Sequence, residues 1–236
     1  MSKFAKRSTQ KELMDDLECS GEVLDETLRE LKTVNKWLGG NYVTTSGLDK
    51  FLEEKPQKQY TIADIGCGGG DMIRLMNSWA ENKEASFEFI GLDANPNVIA
   101  FAEKRNPGAN IRYQVQNVFD EQFKSEKVDI VTCTLFTHHF TDDELVQLFQ
   151  AIRMKARIGF LINDLHRHPL AYYSIQAIVN MFSKSPMVQN DAPLSVWRSF
   201  RKADWVRILS TAGIHNYQIT WHWAFRWRVF VLISDH

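Results

Sequence analysis

The stretch Tyr60-Thr-Ile-Ala-Asp-Ile-Gly-Cys-Gly-Gly-Gly70 decides the fold of this 236-residue chain. Its first six residues predict a buried β-strand, and the glycines that follow end the strand in a turn. A helix is predicted directly after the turn, from about Asp71 to Trp79. Strand, glycine turn and helix in this order are the first unit of a doubly wound α/β sheet, in which ligands bind at the carboxyl edge of the strands.

Strands and helices alternate along the rest of the chain. Further strands are predicted over Phe87 to Leu92, Ile111 to Val115, Val128 to Thr132 and Ile158 to Ile162, and helices begin at Pro96 and Asp142. This alternation predicts a mostly parallel sheet covered by helices on both faces. Two final strands, around His215 to Trp223 and Arg226 to Ile233, are separated by only a few residues and are expected to pair as an antiparallel hairpin.

Two further apolar segments lie outside this alternating core. Before the first strand, residues recur at helical spacing at Val23, Leu24, Thr27, Leu28, Leu31, Val34 and Leu38. Gly39-Gly40 ends this helix, and a second helix is predicted around Tyr42 to Leu52. After Asp164 the sequence predicts a helical insert over Pro169 to Phe182, a polar loop through Pro193 and a helix over Ala203 to Ala212.

We therefore divide the chain into an N-terminal helical segment over residues 1–55 and an α/β domain over residues 56–236, with an insert at about residues 165–200. Both the N-terminal segment and the insert are apolar enough to cover the carboxyl edge of the sheet. We expect them to form a lid over a substrate. The apolar faces of the insert would also fit a subunit interface, and the sequence predicts no oligomeric state.

The charge balance and the cysteines limit the classes of function. The chain has 28 Lys and Arg against 29 Asp and Glu, a net charge of −1, so no global positive field attracts nucleic acid. Cys19, Cys67 and Cys133 form no CxxC pair, which indicates a reducing compartment rather than a disulfide framework or a zinc site. The charged start and the lack of a run of about 18 apolar residues predict a cytoplasmic protein without a transmembrane segment.

The glycine turn favours a cofactor without phosphate groups. A dinucleotide-binding fingerprint starting at Gly66 would need glycines at positions 66, 68 and 71, but Asp71 puts a carboxylate where the pyrophosphate would bind. No Gly-Lys-Ser/Thr follows, which excludes a phosphate-binding loop of the nucleotide-hydrolase type. S-Adenosylmethionine fits the turn, because its positive sulfonium and amino-acid tail tolerate Asp64 before the turn and Asp71 after it.

Polar residues at the ends of the next two strands complete the predicted cofactor site. Asp93 ends the second strand, where a carboxylate can accept hydrogen bonds from both ribose hydroxyls. After the third strand, Asn117 is placed to bind the adenine edge while Val118 or Phe119 covers the ring. The cofactor-binding candidates are Asp64, Gly66, Cys67, Gly68, Gly70, Asp71, Asp93, Ala94, Asn117, Val118 and Thr134.

These motifs resemble those of the class I S-adenosylmethionine-dependent methyltransferases. Asp64 to Gly70 is similar to the first motif of that family, Asp93 to its ribose acid, and Asn117 to its acidic or amide residue after strand three. The stretch Val128 to Phe140, which ends in His-His-Phe, is similar to its strand-four motif. The resemblance covers most of the chain. It implies a Rossmann-like, doubly wound, seven-stranded sheet with an antiparallel C-terminal strand, and S-adenosyl-L-methionine as the cofactor.

Four segments outside the core extend the resemblance to a bacterial subgroup of small-molecule methyltransferases associated with polyketide or lipid-phenol pathways. They are Glu12 to Asp15, Val34 to Gly40, Asn163 to Pro169 and Leu194 to Arg198. The resemblance therefore implies a small aromatic or lipophilic molecule as the methyl acceptor.

Four residues at the carboxyl edge are candidates for the chemistry. His138 and His139 follow the fourth strand, and an imidazole titrates near neutral pH, so either one can accept the proton of an acceptor hydroxyl. His166 is the reserve candidate for this base, and Arg167 is expected to orient the acceptor or an adjacent acid. The sequence predicts no metal site.

The sequence thus predicts a methyltransferase that acts on an oxygen, or less favourably a carbon or nitrogen, of an aromatic or lipophilic small molecule. Two alternatives stay open. RNA or protein methylation is one, because rings and bases interleave from Trp221 to Arg228. Against it, Thr134-Leu-Phe-Thr137 replaces the Asn-Pro-Pro-Tyr-like tetrad of enzymes that methylate exocyclic base amines. A domain that binds the cofactor without turnover is the other.

Overall fold

The computed structural model describes residues 3–37 and 39–233. Within the first long helix, the side chains at positions 23, 31, 32, 34, 36 and 37 are outside this description. In the apolar stripe predicted for that helix, Leu24, Thr27 and Leu28 are buried, as expected. The side chains of Val23, Leu31 and Val34, and Leu38 as a whole, lie outside the described residues.

The described residues form eight α-helices and seven strands. The helices are α1 (Gly21–Trp37), α2 (Gly40–Glu54), α3 (Asp71–Ala80), α4 (Pro96–Arg105), α5 (Asp142–Lys155), α6 (Pro169–Phe182), α7 (Pro186–Arg198) and α8 (Lys202–Thr211). The strands are β1 (Gln59–Ile65), β2 (Ser86–Asp93), β3 (Ile111–Val115), β4 (Val128–Thr134), β5 (Ala156–Leu165), β6 (Tyr217–His222) and β7 (Arg226–Leu232). Short 3₁₀ turns lie at Leu13–Asp15 and Thr137–His139.

All seven strands belong to one sheet, in the order β3-β2-β1-β4-β5-β7-β6. Strands β1 to β5 pair in parallel, and β7 runs antiparallel to both β5 and β6. The predicted seven-stranded Rossmann-like sheet and its antiparallel C-terminal hairpin are therefore confirmed. Because parallel strands end at the same edge, the residues that follow β1 to β5 meet there.

Helices cover both faces of this sheet. On one face Phe51 of α2 and Ile73 of α3 are buried in the same apolar cluster as Phe89 of β2. On the other face Phe149 of α5 and Trp205 of α8 are buried in a second cluster. Close packing on both faces holds the strands rigidly beneath the carboxyl edge. Nowhere in residues 3–37 and 39–233 is there a helix both long and apolar enough to cross a membrane.

The prediction of a polar loop through Pro193 is wrong, because these residues belong to α7. Ser185 accepts a hydrogen bond from the Val188 N–H at 3.4 Å, and Pro186 occupies the first helical position, where no N–H is needed. Val188 and Val196 are buried in one apolar cluster with residues of α6. Burial of this face outweighs the backbone hydrogen bond that Pro193 cannot donate.

Gly159 is the position at which the pairing of β5 with β7 tolerates no side chain. A Cβ there would lie 2.1 Å from the Val231 carbonyl oxygen and 2.7 Å from the Phe51 ring. We expect Gly159→Ala to lower the free energy of unfolding by about 3 kcal/mol, the range of an overpacked core. Urea denaturation measures this change. Gly108→Ala is the control, because a Cβ there meets the side chains of Ile111 and Asn110 rather than backbone. An equal loss in both variants would contradict the expectation.

Candidate active site

A cavity of 1270 Å³ lies at the carboxyl edge of the sheet. It is lined by the glycine turn after β1, by residues that follow β2, β3 and β4, and by the segment before α1, α1 itself, α6 and α7. Sites for single small molecules usually measure roughly 300–1,000 Å³. This cavity therefore has room for a cofactor and a second small molecule together.

The three glycines of the turn serve different purposes. Gly66, Gly68 and Gly70 all have positive φ angles, of 66°, 51° and 75°. A Cβ on Gly66 would lie 2.1 Å from the Phe136 ring, and a Cβ on Gly70 would lie 2.6 Å from the Tyr113 hydroxyl. A Cβ on Gly68 would meet only Leu28, at 3.8 Å. Gly68 is therefore the one of the three whose backbone is open to a ligand.

Asp93 ties this turn to the end of β2. Its Oδ2 accepts a hydrogen bond from the Gly68 N–H at 3.2 Å, and its Oδ1 accepts one from the Asn95 N–H at 3.0 Å. Burial raises the pKa of Asp93, and the two backbone N–H groups oppose that rise. Each carboxylate oxygen has a second lone pair, so Asp93 retains the capacity to accept two hydroxyl groups.

Asp64 stabilises the turn from below. It is fully buried at the end of β1 and accepts a hydrogen bond from Thr132 Oγ1 at 2.7 Å. Burial, together with the nearby charge of Asp93, raises the pKa of Asp64 to about 7. The hydrogen bond from Thr132 makes this carboxyl group a link between β1 and β4.

The structure brings together nearly all of the residues predicted to bind the cofactor. Those that line the cavity are Asp64, Gly66, Cys67, Gly68, Asp71, Asp93, Ala94, Asn117, Val118 and Thr134. Gly70 does not line it, because it packs against Tyr113. The side chain of Asn117 accepts a hydrogen bond from the Phe119 N–H at 3.0 Å, which fixes the orientation of the amide.

Of the predicted bases, His138 is the one that combines burial, a carboxylate partner and a place in the cavity wall. It is buried and lines the cavity, and its Nδ1 lies 2.7 Å from Asp164 Oδ1 at the end of β5. Burial opposes the ionisation of Asp164, but the charge of His138 and hydrogen bonds from His138, Thr137 and the Leu165 N–H lower its pKa to about 2. An ionised Asp164 accepts the Nδ1 proton, so in the neutral form of the imidazole the lone pair is on Nε2.

The segment before α1 supplies an acid that the sequence did not predict as a site residue. Glu12 is 6% exposed, and its Oε1 lies 3.7 Å from His138 Nε2 without a hydrogen-bond partner among the described residues. Its Oε2 accepts a hydrogen bond from Ser195 of α7 at 2.9 Å. Burial raises the pKa of Glu12 to about 7, although His139 and Arg198 oppose the rise. The one signal in the sequence that points to this acid is the resemblance of Glu12 to Asp15 to a segment of a methyltransferase subgroup.

His139 belongs to a neighbouring ion-pair chain. Its Nδ1 lies 2.5 Å from Asp15 Oδ1, and Arg198 Nη1 lies 2.6 Å from Asp15 Oδ2. Burial of Asp15 is outweighed by His139 and Arg198, which hold the pKa of this carboxyl well below its usual range. The guanidinium of Arg198 also donates to the carbonyl oxygen of His138 at 3.1 Å. Helix α7 thereby holds both histidines in place.

Glu12, His138 and His139 offer ligand atoms within 4.8 Å of one another, a spacing that a metal ion can bridge. The Nε of Arg198 lies 3.7 Å from Glu12 Oε1 and already brings a positive charge to this carboxylate. That charge opposes a cation at the same place. We therefore treat the group as an acid–base cluster, and the sequence-based expectation of a metal-free protein stays a prediction.

Two predicted catalytic residues do not line the cavity. His166 contacts Trp227 and His168 with its ring, and burial lowers its pKa to about 4. Arg167 is buried, pairs with Asp204 of α8 at 2.9 Å and donates to the Ser199 carbonyl oxygen at 2.6 Å. Arg167 is thus held by structural partners. The geometry gives neither residue access to a ligand in the cavity.

Comparison with known proteins bears on the family of the chain. Residues 62–159, which contain the glycine turn, Asp93 and β4, match a family model described as a methyltransferase domain. Residues 62–159 are therefore a methyltransferase domain, in agreement with the resemblance of the motifs to the class I S-adenosylmethionine-dependent methyltransferases. The cofactor that the sequence predicts for this domain is S-adenosylmethionine.

Individual relatives are distant in sequence. The chain is 27% identical to an uncharacterized methyltransferase, YcgJ, of Bacillus subtilis over 104 residues, 42% of this chain and 36% of that protein. It is 24% identical to the ubiquinone biosynthesis O-methyltransferase of Coxiella burnetii over 72% of this chain and 74% of the relative. The structure of human N-acetylserotonin methyltransferase with S-adenosylmethionine is similar in fold, with a TM-score of 0.67, 15% identity and coverage of 97% of this chain and 60% of that one.

The cavity suits this cofactor. S-Adenosylmethionine has no phosphate group, and the cavity wall offers the open backbone of Gly68 beside the carboxylate of Asp93. The apolar side chains of Val118 and Phe119 line the same wall next to Asn117. These groups match a ribose and a purine ring, respectively.

Removing the carboxylate of Asp93 tests this arrangement. We expect Asp93→Ala to weaken the binding of S-adenosylhomocysteine by about 2–4 kcal/mol, because two hydroxyl groups lose a charged acceptor. Gly68→Val is expected to weaken it further by filling the open space. Isothermal titration calorimetry measures both, with Glu88→Ala on the same strand as the control. Wild-type affinity in Asp93→Ala would contradict the assignment.

Proposed function

We propose that this methyltransferase transfers the methyl group to an oxygen of a small aromatic or lipophilic molecule. The observation that carries the proposal is the buried His138–Asp164 pair, in which His138 lines the cavity and Nε2 is the ring nitrogen that Asp164 does not hold. A hydroxyl group is a weak nucleophile until its proton leaves, so oxygen methylation benefits from a positioned base.

In our proposal, separate residues accept the proton, stabilise the resulting charge and bind the cofactor. His138 Nε2 accepts the proton of the acceptor hydroxyl, and Asp164 stabilises the imidazolium that forms. Glu12, 3.7 Å from that nitrogen, is placed to hydrogen-bond the acceptor oxygen or to receive the proton from His138. Gly68, Asp93 and Asn117 bind the cofactor, which supplies a methyl group on a positively charged sulfur. Attack must be in line with the sulfur–carbon bond, so positioning contributes a large share of the rate.

The cavity wall supports an acceptor of apolar character. Its lining includes the rings of Phe136, Phe140 and Phe225 and the side chains of Ile175 and Ile178 of α6. Apolar walls with few polar groups are typical of sites for small organic molecules. The named relatives include a ubiquinone biosynthesis O-methyltransferase and an N-acetylserotonin methyltransferase, which supports the same class of acceptor.

The residues before α1 support a lid rather than an open surface for RNA or protein. Leu13 and Met14 donate backbone hydrogen bonds to Asp191 of α7 at 2.9 Å and 3.0 Å. Arg7 pairs with Asp142 at 2.7 Å. We propose that this segment and the insert together enclose the acceptor and move apart to admit it. Such a lid excludes water and macromolecular acceptors.

Substitution of the histidines tests the proposed chemistry. Glutamine keeps a hydrogen bond but cannot act as the base, so we expect His138→Gln to slow single-turnover methyl transfer by about 10²- to 10⁴-fold with little change in cofactor affinity. His139→Gln is expected to lose at most about tenfold, because Asp15 and Arg198 already occupy its surroundings. The acceptors are a panel of phenols, quinols and acyl phenols with radiolabelled cofactor.

His166→Gln is the matched control, since this histidine does not line the cavity. Near-wild-type rates in His138→Gln and His139→Gln would show that no histidine base acts, and would favour transfer to carbon or to a neutral amine. A protein that binds the cofactor but labels no member of the panel would support the binding-only alternative. Transfer to RNA or protein instead would reject a small acceptor.

Removal of residues 1–20 tests the proposed lid. The truncated chain keeps the whole sheet but loses Glu12 and Asp15, so we expect a folded protein with impaired methyl transfer. Circular dichroism checks folding, and single-turnover rates at saturating cofactor measure transfer. A full-length Glu12→Gln, Asp15→Asn variant separates the loss of these two acids from the loss of enclosure. Full activity in the truncated chain would mean that the segment is only a tail.

A further inference from the structure

Arg226, the first residue of β7, is a buried cation in the cavity wall. It is 1% exposed and lines the cavity. Its Nη1 donates to Asn163 Oδ1 at 3.2 Å, while its Nε has no hydrogen-bond partner among the described residues. Burial lowers the pKa of Arg226 to about 10, so the guanidinium is still charged at neutral pH. The charge of Asp164 opposes this shift, but no carboxylate of the described residues lies within ion-pair distance of the guanidinium. A buried charge without such a contact is unfavourable, so Arg226 calls for an anionic ligand.

Other arginines of this region are paired differently. Arg167 and Arg198 are also buried, and each has a carboxylate within ion-pair distance, Asp204 at 2.9 Å and Asp15 at 2.6 Å. Arg7, on the cavity wall, pairs with Asp142 at 2.7 Å. Arg226 forms no ion pair within residues 3–37 and 39–233. Of these four arginines, Arg226 is thus the one whose charge no described carboxylate contacts.

An unpartnered acceptor lies beside this unpartnered donor. Asn35 of α1 donates through Nδ2 to Met72 Sδ at 3.4 Å, but its Oδ1 is buried without a hydrogen-bond partner in the described part of the chain. A Cβ on Gly40 would lie 2.1 Å from Asn35 Oδ1 and 2.9 Å from Arg226 Cζ. Both polar groups therefore converge on Gly40, where the lack of a side chain lets them approach each other.

A guanidinium donor next to an amide acceptor matches the two charged groups of an α-amino acid. The carboxylate accepts from the guanidinium, and the ammonium donates to the amide oxygen. Met72, which Asn35 contacts, is the second residue of α3 and follows the glycine turn directly. We propose that Arg226 and Asn35 bind the carboxylate and the ammonium of the cofactor's methionine moiety. The inference rests on the cofactor binding in this cavity and does not depend on the acceptor or the base.

Asn163 has a supporting role in this arrangement. Its Nδ2 donates to the Gly40 carbonyl oxygen at 2.7 Å and to Thr44 Oγ1 at 3.0 Å, which directs its Oδ1 toward Arg226. One side chain of β5 thus links the start of α2 to the start of β7. Asn163 is a positioning residue, because it acts on the ligand through Arg226.

Two ligands that differ in the amino-acid group test the proposal. S-Adenosylhomocysteine has the carboxylate and the ammonium, whereas 5′-methylthioadenosine has the same nucleoside and thioether without them. We expect Arg226→Gln to weaken S-adenosylhomocysteine binding by about 10- to 100-fold in calorimetry and to leave the affinity for 5′-methylthioadenosine unchanged. Asn35→Ala is expected to weaken only the first ligand as well, by about 3- to 10-fold.

Arg228→Gln is the matched control, because Arg228 lies two residues further along β7, donates to Ser46 Oγ at 2.9 Å and does not line the cavity. It should leave both affinities unchanged. Unchanged affinity for S-adenosylhomocysteine in folded Arg226→Gln overturns the proposal. Equal losses for both ligands overturn it too, because they indicate a general structural role.

If Arg226→Gln does not fold, the wild-type protein decides the question. It is titrated with S-adenosylhomocysteine and with the decarboxylated analogue of that compound. A preference of at least about tenfold for the carboxylate supports a cation that binds it, and equal affinities overturn the proposal. None of these measurements requires turnover, so a failed base or a wrong acceptor class leaves their outcome unchanged.

Discussion

The candidate active site depends on one buried carboxylate, that of Asp164 at the end of β5. It accepts hydrogen bonds from Thr137 Oγ1 at 2.5 Å, the His138 N–H at 3.1 Å, His138 Nδ1 at 2.7 Å and the Leu165 N–H at 2.7 Å. A buried charge is tolerated only with such a set of partners. The requirement fixes the turn after β4 against β5. It also fixes the ring of His138, which lines the cavity.

The N-terminal segment also contains a buried carboxylate that needs polar partners. Glu12 lies opposite His138 but is too deeply buried to be stable alone, so Ser195 and Arg198 of α7 surround it. Helix α7 in turn anchors the segment by accepting backbone hydrogen bonds at Asp191. The segment, the insert and the end of β4 therefore form a single polar cluster, and a change in any one of them alters the surroundings of the proposed base.

Local patterns in the sequence predicted the sheet, and all but one of the residues that they marked as cofactor-binding candidates line one cavity. A strand, its glycine turn and the following helix are contiguous, and Asp93 is recognisable because it ends a strand that must finish at the same edge. The helices that begin near Pro169 and Ala203 were also predicted from contiguous local patterns. Pro193 misled the prediction of α7, because packing against α6 compensates for a residue that disfavours a helix interior.

Residues that act across long distances in the chain were not predictable in this way. Glu12 and Arg198 meet His138 only in the folded protein, and no periodicity marks such a pairing. In the sequence, Arg226 is one of several basic residues that alternate with aromatic residues in the final hairpin. Only its burial beside Asn163 in the folded protein distinguishes it from the others. His166 and Arg167 are the opposite case, since neither lines the cavity. They follow Asp164 in the chain, yet the backbone beyond β5 directs His166 toward Trp227 and Arg167 toward Asp204.

The positions of the charged groups around His138 agree with the charge changes of the proposed reaction. Methyl transfer to a hydroxyl removes the positive charge from sulfur and releases a proton, so a positive charge must be held elsewhere in the site. In our proposal it appears on His138, 2.7 Å from a carboxylate whose pKa of about 2 keeps it ionised. Asp164 is in place before the reaction and needs no rearrangement during it, which is the condition under which electrostatic stabilisation is most effective. The structural role of Asp164 and its proposed catalytic role thus have the same physical origin.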